Sequence, residues 1–258
     1  MTLCTGYEYP IFQRFVGSLY DTGFSGTCYI FCQERDLPII SKLKEEYSNV
    51  IGVLCNLSRF NTHIQSSRFK FMAEFLEKEK DLEYDYLLMC DSRDVVFQKN
   101  IEEFSLKGDL YAFEEEQIIS KCRFNSHWIR DVERVLGRPL PIQDKTVICS
   151  GTILVSKQKA LHFLESFSSF LLNPLCSRNC GVDQGVYNYF CHENPLGLDI
   201  TFSSNLDNLV NTIGYGHKEV LNHKIVNAQQ QISYVVHQYD RMTLEQQKEI
   251  SVKYNFSL

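Results

Sequence analysis

A chain of 258 residues with a formal net charge of −6 is long enough for one α/β domain that buries roughly 70–75% of its unfolded surface. The acidic balance argues against a nucleic-acid-binding surface, which needs a basic face. The 18 Phe and 14 Tyr supply a substantial core. Residues 1–5 have no basic flank and no long apolar run, so no signal peptide is expected. No later stretch reaches the roughly 20 apolar residues of a membrane helix. The expectation is a cytoplasmic chain without a transmembrane segment, unless it is an excised lumenal domain.

Residues 3–7 read as a first strand, and Pro10 suits the first turn of a helix. Ile11, Phe12, Phe15, Val16, Leu19 and Tyr20 then recur at helical spacing. A strand at 27–32, a helix opened by Pro38 and a strand at 50–54 follow. This alternation predicts a mostly parallel sheet with helices on its faces. Ser66 and Ser67 suit the cap of a helix carrying Arg68, Phe69, Met72, Phe75 and Leu76. Arg68 then opens that helix, where a cation opposes the dipole. Either it reaches an anion such as a phosphate, or it is a solvated arginine.

Tyr86-Leu87-Leu88-Met89-Cys90 is a short apolar run without alternation, the pattern of a strand covered on both faces. It ends in Asp91-Ser92-Arg93-Asp94. Two carboxylates at the C-terminal end of a central strand sit where α/β sheets bind ligands. Read alone, they are equally a strand-to-loop boundary with surface charges. Residues 109–113 predict a strand ending in Glu114-Glu115-Glu116, further acids near a strand end which, on the resemblance given below, would be acceptor-side or surface groups. Residues 126–136 predict a helix with Trp128, the only tryptophan. A strand at 146–155 contains Ser150-Gly151, and a glycine inside a strand often marks close approach of a ligand. A helix at 157–172 follows. Asp183 suits the N-terminus of the next helix. Short strands at 198–202 and 224–226, a strand ending at His237 and a polar helix from Thr243 complete the chain.

Of the ten cysteines, Cys28, Cys32, Cys55, Cys90 and Cys149 lie in or beside apolar runs and read as small buried hydrophobes of a reducing compartment. Cys176 and Cys180, the one loop-like close pair, have the spacing that a disulfide or half a zinc site could use. No second Cys/His pair at finger spacing accompanies them.

Carboxylates with one imidazole suit Mn²⁺, and carboxylate oxygens suit Mg²⁺. The two acids at one strand end, Asp91 and Asp94, the acid-amide pair Asp183-Gln184 and the late His237 form a set of this chemistry, although a lone histidine is more often structural. The ordered series Thr5-Gly6-Tyr7, Arg68-Phe69, Asp91-Ser92-Arg93-Asp94-Val95-Val96-Phe97, Cys149-Ser150-Gly151, Gly181-Val182-Asp183-Gln184 and Val236-His237-Gln238-Tyr239-Asp240-Arg241 resembles GT-A fold glycosyltransferases that use nucleotide-sugar donors. In that family a DxD motif ends the strand below the donor. Two residues, not one, separate the acids here, which is similar to the DxxD variant of the collagen glucosyltransferase type.

The resemblance implies a single GT-A (Rossmann-like) α/β domain with a mostly parallel central sheet flanked by helices. Residues 1–97 would be its nucleotide-binding half and 98–258 its acceptor-side half. The implied activity is hexosyl or pentosyl transfer from a nucleotide-sugar, a UDP-sugar by preference, to a glycan or other hydroxyl acceptor. It makes Asp91, Asp94 and His237 the ligands of Mn²⁺ or Mg²⁺, with both acids direct or one through water. Thr5, Gly6 and Tyr7 would meet the uridine, with Arg68 facing the nucleotide. Ser92 and Arg93 belong to the donor-binding motif, and Ser150 and Gly151 would lie beside the sugar. Asp183 and Gln184 would face sugar and acceptor. Asp183 is the base if the enzyme inverts and a positioning or charge-stabilising group if it retains. Arg93 either stabilises the leaving group or neutralises its neighbouring acids. The rival readings are a sugar nucleotidyltransferase or other phosphotransfer enzyme, and a catalytically silent carbohydrate-binding relative. A Gly-rich phosphate loop after the first strand, expected of a phosphotransfer enzyme, is absent.

Overall fold

The computed structural model describes residues 1–176, 179–250 and 254. In chain order the elements are β1 (Thr2–Leu3), α1 (Tyr9–Asp21), β2 (Cys28–Cys32), α2 (Leu37–Glu46), β3 (Val50–Leu54), α3 (Ile64–Lys78), β4 (Tyr86–Cys90), β5 (Val95–Phe97), β6 (Leu110–Ile118), α4 (Arg123–Leu136), β7 (Thr146–Ser156), α5 (Lys157–Leu171), α6 (Val182–His192), β8 (Ile200–Ser203), β9 (Val210–Thr212), β10 (Glu219–Leu221), β11 (Lys224–Val226), β12 (Val235–His237) and α7 (Leu244–Ile250). The α/β class is as expected: parallel-containing sheets with flanking helices. Contacts group the chain into two compact units. One comprises Met1–Cys55, Cys90–Leu106 and Ser203–Leu258, the other Asn56–Met89 and Lys107–Phe202.

In the first unit, β1, β2 and β3 form a parallel sheet in that order. β1 is shorter than the expected strand, because Gly6 takes a left-handed φ of +74° and turns the chain out of it. Pro10 lies in the first turn of α1, and Phe12, Phe15, Val16 and Leu19 are buried along one face. A second sheet of this unit has the order β5-β12-β9, with β12 antiparallel to β5 and parallel to β9. The sequence reading did not foresee β5 or β9. Each has only three residues, too few to show a period.

In the second unit, the sheet order is β4-β7-β6-β8. β7 is buried from its second residue to its last, which is why it reads as an unbroken apolar run. α3, α5 and α6 contribute an aromatic core: Phe69 meets Phe167 edge-on at 4.7 Å, and Phe167 meets Phe190 edge-on at 5.3 Å.

Three expectations change here. Ser66 and Ser67 do not cap α3. That helix starts at Ile64, and both serines are buried within its first turn. Arg68 therefore lies one turn inside the helix rather than at its start. β6 does not stop before Glu114 but continues to Ile118 through register irregularities. Cys176, which is buried, and Cys180, which is exposed, are not joined in a disulfide. Among the described residues, no helix is long and apolar enough to cross a membrane.

Candidate metal and donor sites

In the first unit the chain leaves Cys90, bends over residues 92–94 and enters β5 at Val95. An extended chain alternates its side chains, so residues three apart point to opposite faces. The bend is what brings Asp91 and Asp94 to one side. β5 pairs with β12 in the register Val95↔His237, and the Gln238 N–H donates to the Asp94 carbonyl at 2.8 Å. His237 is thereby set beside the acids. Its Nε2 lies 3.6 Å from Asp91 Oδ2 and 3.8 Å from Asp94 Oδ2.

One ligand atom from each of the three residues falls within 4.8 Å of the others. Donor atoms around one divalent ion, with bonds of about 2.1 Å, stand roughly 3–4 Å apart. Asp94 and His237 are 7% and 2% exposed. Burial pushes the Asp94 carboxyl above its ordinary value; His237 opposes this, and Asp91 and Asp240 add to it. A cluster of a half-buried and a buried carboxylate with one buried imidazole fits a divalent cation, whose charge would offset the repulsion of the acids and the desolvation of Asp94.

The Arg93 guanidinium donates to Asp240 Oδ2 at 2.9 Å and stands 3.9 Å from Asp94 Oδ2. It therefore ties the acidic bend to the segment after His237. Asp240 was in the quoted run but carried no expectation. Ser92 is buried, and its hydroxyl donates to the Leu3 carbonyl at 3.3 Å. Thr5 and Gly6 are organised by Asp36, which is 2% exposed. Its carboxylate accepts from the Thr5 hydroxyl, from the Gly6 N–H at 3.0 Å and from the Gln33 N–H at 3.0 Å. An added Cβ on Gly6 would stand 2.8 Å from Arg35 Nη2, a side-chain tip that can move aside, so it is the left-handed φ of +74° that favours glycine here. Tyr7 is 40% exposed. Burial raises its hydroxyl, while Arg93 lowers it and Asp94 and Asp91 raise it.

The second unit holds a separate cluster. Arg68 donates to Asp183 Oδ2 at 3.2 Å and to the Ser150 carbonyl at 3.2 Å. The Ser150 hydroxyl donates to the same carboxylate oxygen at 3.1 Å. Arg68 and Asp183 are 8% and 3% exposed. The anion that Arg68 reaches is thus a carboxylate of its own chain. Ser150 and the buried Gly151 lie where the β6–β7 register shifts, between the pairs Ala112↔Ile153 and Glu114↔Ile148. Such irregularities are common beside active sites. Asp183 and Gln184 are in the first turn of α6. The Gln184 amide donates to Glu115 Oε1 at 3.2 Å and to Asn125 Oδ1 at 3.1 Å. Asn125 was not singled out from the sequence, and Glu115 was read only within Glu114-Glu115-Glu116 as one of three acceptor-side or surface acids; it is 3% exposed. Strand alternation was the available signal for Glu115: it is buried, between a half-buried Glu114 and an exposed Glu116.

No protein-family model matches the chain, and no curated protein matches it. Solved structures do. The galactosyltransferase LgtC in complex with donor and acceptor sugar analogs is similar over 92% of this chain and 86% of that one, with a TM-score of 0.58 and 12% identity. An active-site glutamine-to-glutamate mutant of LgtC is similar over 96% and 92%, with a TM-score of 0.59 and 10% identity. The apo bifunctional glycosyltransferase WbbM is similar over 92% of this chain but 45% of that one, with a TM-score of 0.57 and 12% identity. Together these place the fold among the GT-A glycosyltransferase folds.

Proposed function

We propose that the protein is a metal-dependent glycosyltransferase that moves a sugar from a nucleotide-sugar, by preference a UDP-sugar, to a hydroxyl of a glycan acceptor. The observation that carries this reading is the cluster of Asp91, Asp94 and His237. The fold likeness to LgtC and WbbM supports it.

In this reading Asp91, Asp94 and His237 hold Mn²⁺ or Mg²⁺. The bound cation supplies Lewis-acid stabilisation of the negative charge on a departing diphosphate. Thr5, Gly6 and Tyr7 bind the nucleoside, with their backbone set by Asp36. Ser92 anchors the acidic bend to β1, and Arg93 stiffens it through Asp240. In the second unit, Arg68, Ser150, Gly151 and Asp183 bind the donor sugar. Asp183, gripped by Arg68 and Ser150, orients the anomeric centre. Gln184, held by Glu115 and Asn125, positions the acceptor.

The test is calorimetry with UDP, with and without Mn²⁺, followed by hydrolysis assays over a nucleotide-sugar panel. UDP binding that requires Mn²⁺, and turnover of at least one donor, are expected. Binding indifferent to the metal, or a preference for a triphosphate, overturns the reading.

A further inference from the structure

The carbonyl of Arg93 sits within the bend between Asp91 and Asp94. It accepts two hydrogen bonds, one from Arg14 Nη2 at 2.9 Å and one from the Tyr239 hydroxyl at 2.7 Å. A carbonyl oxygen has two lone pairs, so both are engaged. Arg14 comes from the middle of α1 and is fully buried; Tyr239 is fully buried two residues after His237. The Arg14 guanidinium also lies over the Tyr239 ring, 5.0 Å from its centroid, a cation–π contact strengthened by desolvation. Gln238, between His237 and Tyr239, has a left-handed φ of +62°, uncommon for a residue with a side chain. That reversal lets the imidazole join the acids while the next side chain reaches the carbonyl.

A buried arginine that makes this contact needs an explanation, because burying a charge is costly. Its place in the molecule supplies one. The acids are three residues apart, and only the bend brings them together. Resting on the metal-site reading above, we propose that Arg14 and Tyr239 are positioning residues that clamp the Arg93 carbonyl and so hold the bend in which Asp91 and Asp94 share one cation with His237. Neither side chain is a ligand. Together they hold the carboxylates at the ligand spacing before metal arrives. α1, the acidic bend and the segment after His237 become one rigid support.

The test is titration of the full chain with Mn²⁺, followed by the electron paramagnetic resonance of the free ion, in the absence of any donor. The variants are Tyr239→Phe, Arg14→Met and Asp94→Asn. Phe12→Leu, which alters the buried face of the same helix, is the control. Removing a group that orients metal ligands costs about 10–100-fold in affinity. Tyr239→Phe is expected to weaken Mn²⁺ binding about tenfold and Arg14→Met about tenfold or more, with Asp94→Asn abolishing it. Phe12→Leu is expected to lower the unfolding temperature and leave the affinity unchanged. If Arg14→Met does not fold, Tyr239→Phe alone decides. Affinity unchanged in Tyr239→Phe, while Asp94→Asn abolishes binding, overturns the positioning role and leaves the metal site standing. Equal weakening by Phe12→Leu overturns it as well, since the effect is then general loosening. An unaltered chain that binds no Mn²⁺ overturns the metal site and this proposal together.

Discussion

His237 Nε2 stands 3.8 Å from Asp94 Oδ2 because the antiparallel register that pairs His237 with Val95 sets the imidazole beside the residue that precedes the strand. Both side chains are buried, so the substitution is chosen to keep the volume. Asp94→Asn keeps the shape and hydrogen-bonding capacity but removes the anionic oxygen. Mn²⁺-dependent UDP binding should be lost, with the unfolding temperature held within a few degrees. Calorimetry beside thermal unfolding measures both.

Arg68 and Asp183 form a buried pair, with side chains 10% and 5% exposed. Removing one partner leaves the other charge buried without its counter-ion, at a cost of about 3–5 kcal/mol. Arg68→Met should therefore unfold at markedly lower urea. Adding Asp183→Asn should restore much of the loss, because no charge is then stranded. Both proteins should lack transfer activity. A double-mutant cycle from urea midpoints measures the coupling.

Gly185 is in α6, beside Gln184. Glycine to alanine inside a helix ordinarily gains about 1 kcal/mol. Here an added Cβ would stand 2.6 Å from the Trp128 Cβ and 2.8 Å from its carbonyl carbon. Backbone cannot yield as a side-chain tip can, and overpacking costs about 1–3 kcal/mol. The clash outweighs the propensity, so Gly185→Ala should destabilise. Chemical denaturation decides the sign.

The His192 ring Nε2 lies 2.8 Å from the Thr146 carbonyl. Burial lowers this histidine below its ordinary value of 6.5; the bond to Thr146 opposes the shift and Lys145 adds to it. Below 6.5 the unfolded chain binds the proton more readily than the folded one. The contribution of this group to stability is therefore complete above 6.5 and is lost as pH falls through the lowered folded value. His192→Gln, which keeps a donor for Thr146, should flatten that part of the pH–stability curve. Urea midpoints from about pH 5 to about pH 8 measure the slope.

Much of this was legible in the residues. The boundaries of β3, β4 and β11 and the strand end at His237 coincide with the structure, because each is marked by apolar content with polar residues beyond. The three residues that the family resemblance implied as metal ligands do meet. Less legible was everything that depends on a partner remote in sequence. Arg68 carried the wrong local context, since its helix begins a turn earlier than the serines suggest. Glu115 and Asn125 became part of the Gln184 site only once β6 ran past Phe113 and α4 packed against α6. Asp36 and Arg14 had no pattern to announce them, and Tyr239 and Asp240 lay in the run around His237 with no role attached to them.

By itself the order of residues determined most of the strands and helices, though not β5 or β9, and which side-chain types could serve a metal, because hydrophobic period and side-chain type are local properties. Tertiary structure alone decided that Asp91 and Asp94, three residues apart, face one imidazole, and that a buried arginine and tyrosine grip the carbonyl between them. Those outcomes follow from strand register and chain reversal, at β5–β12 and at Gln238, which are set by packing across long sequence separations rather than by any local signal.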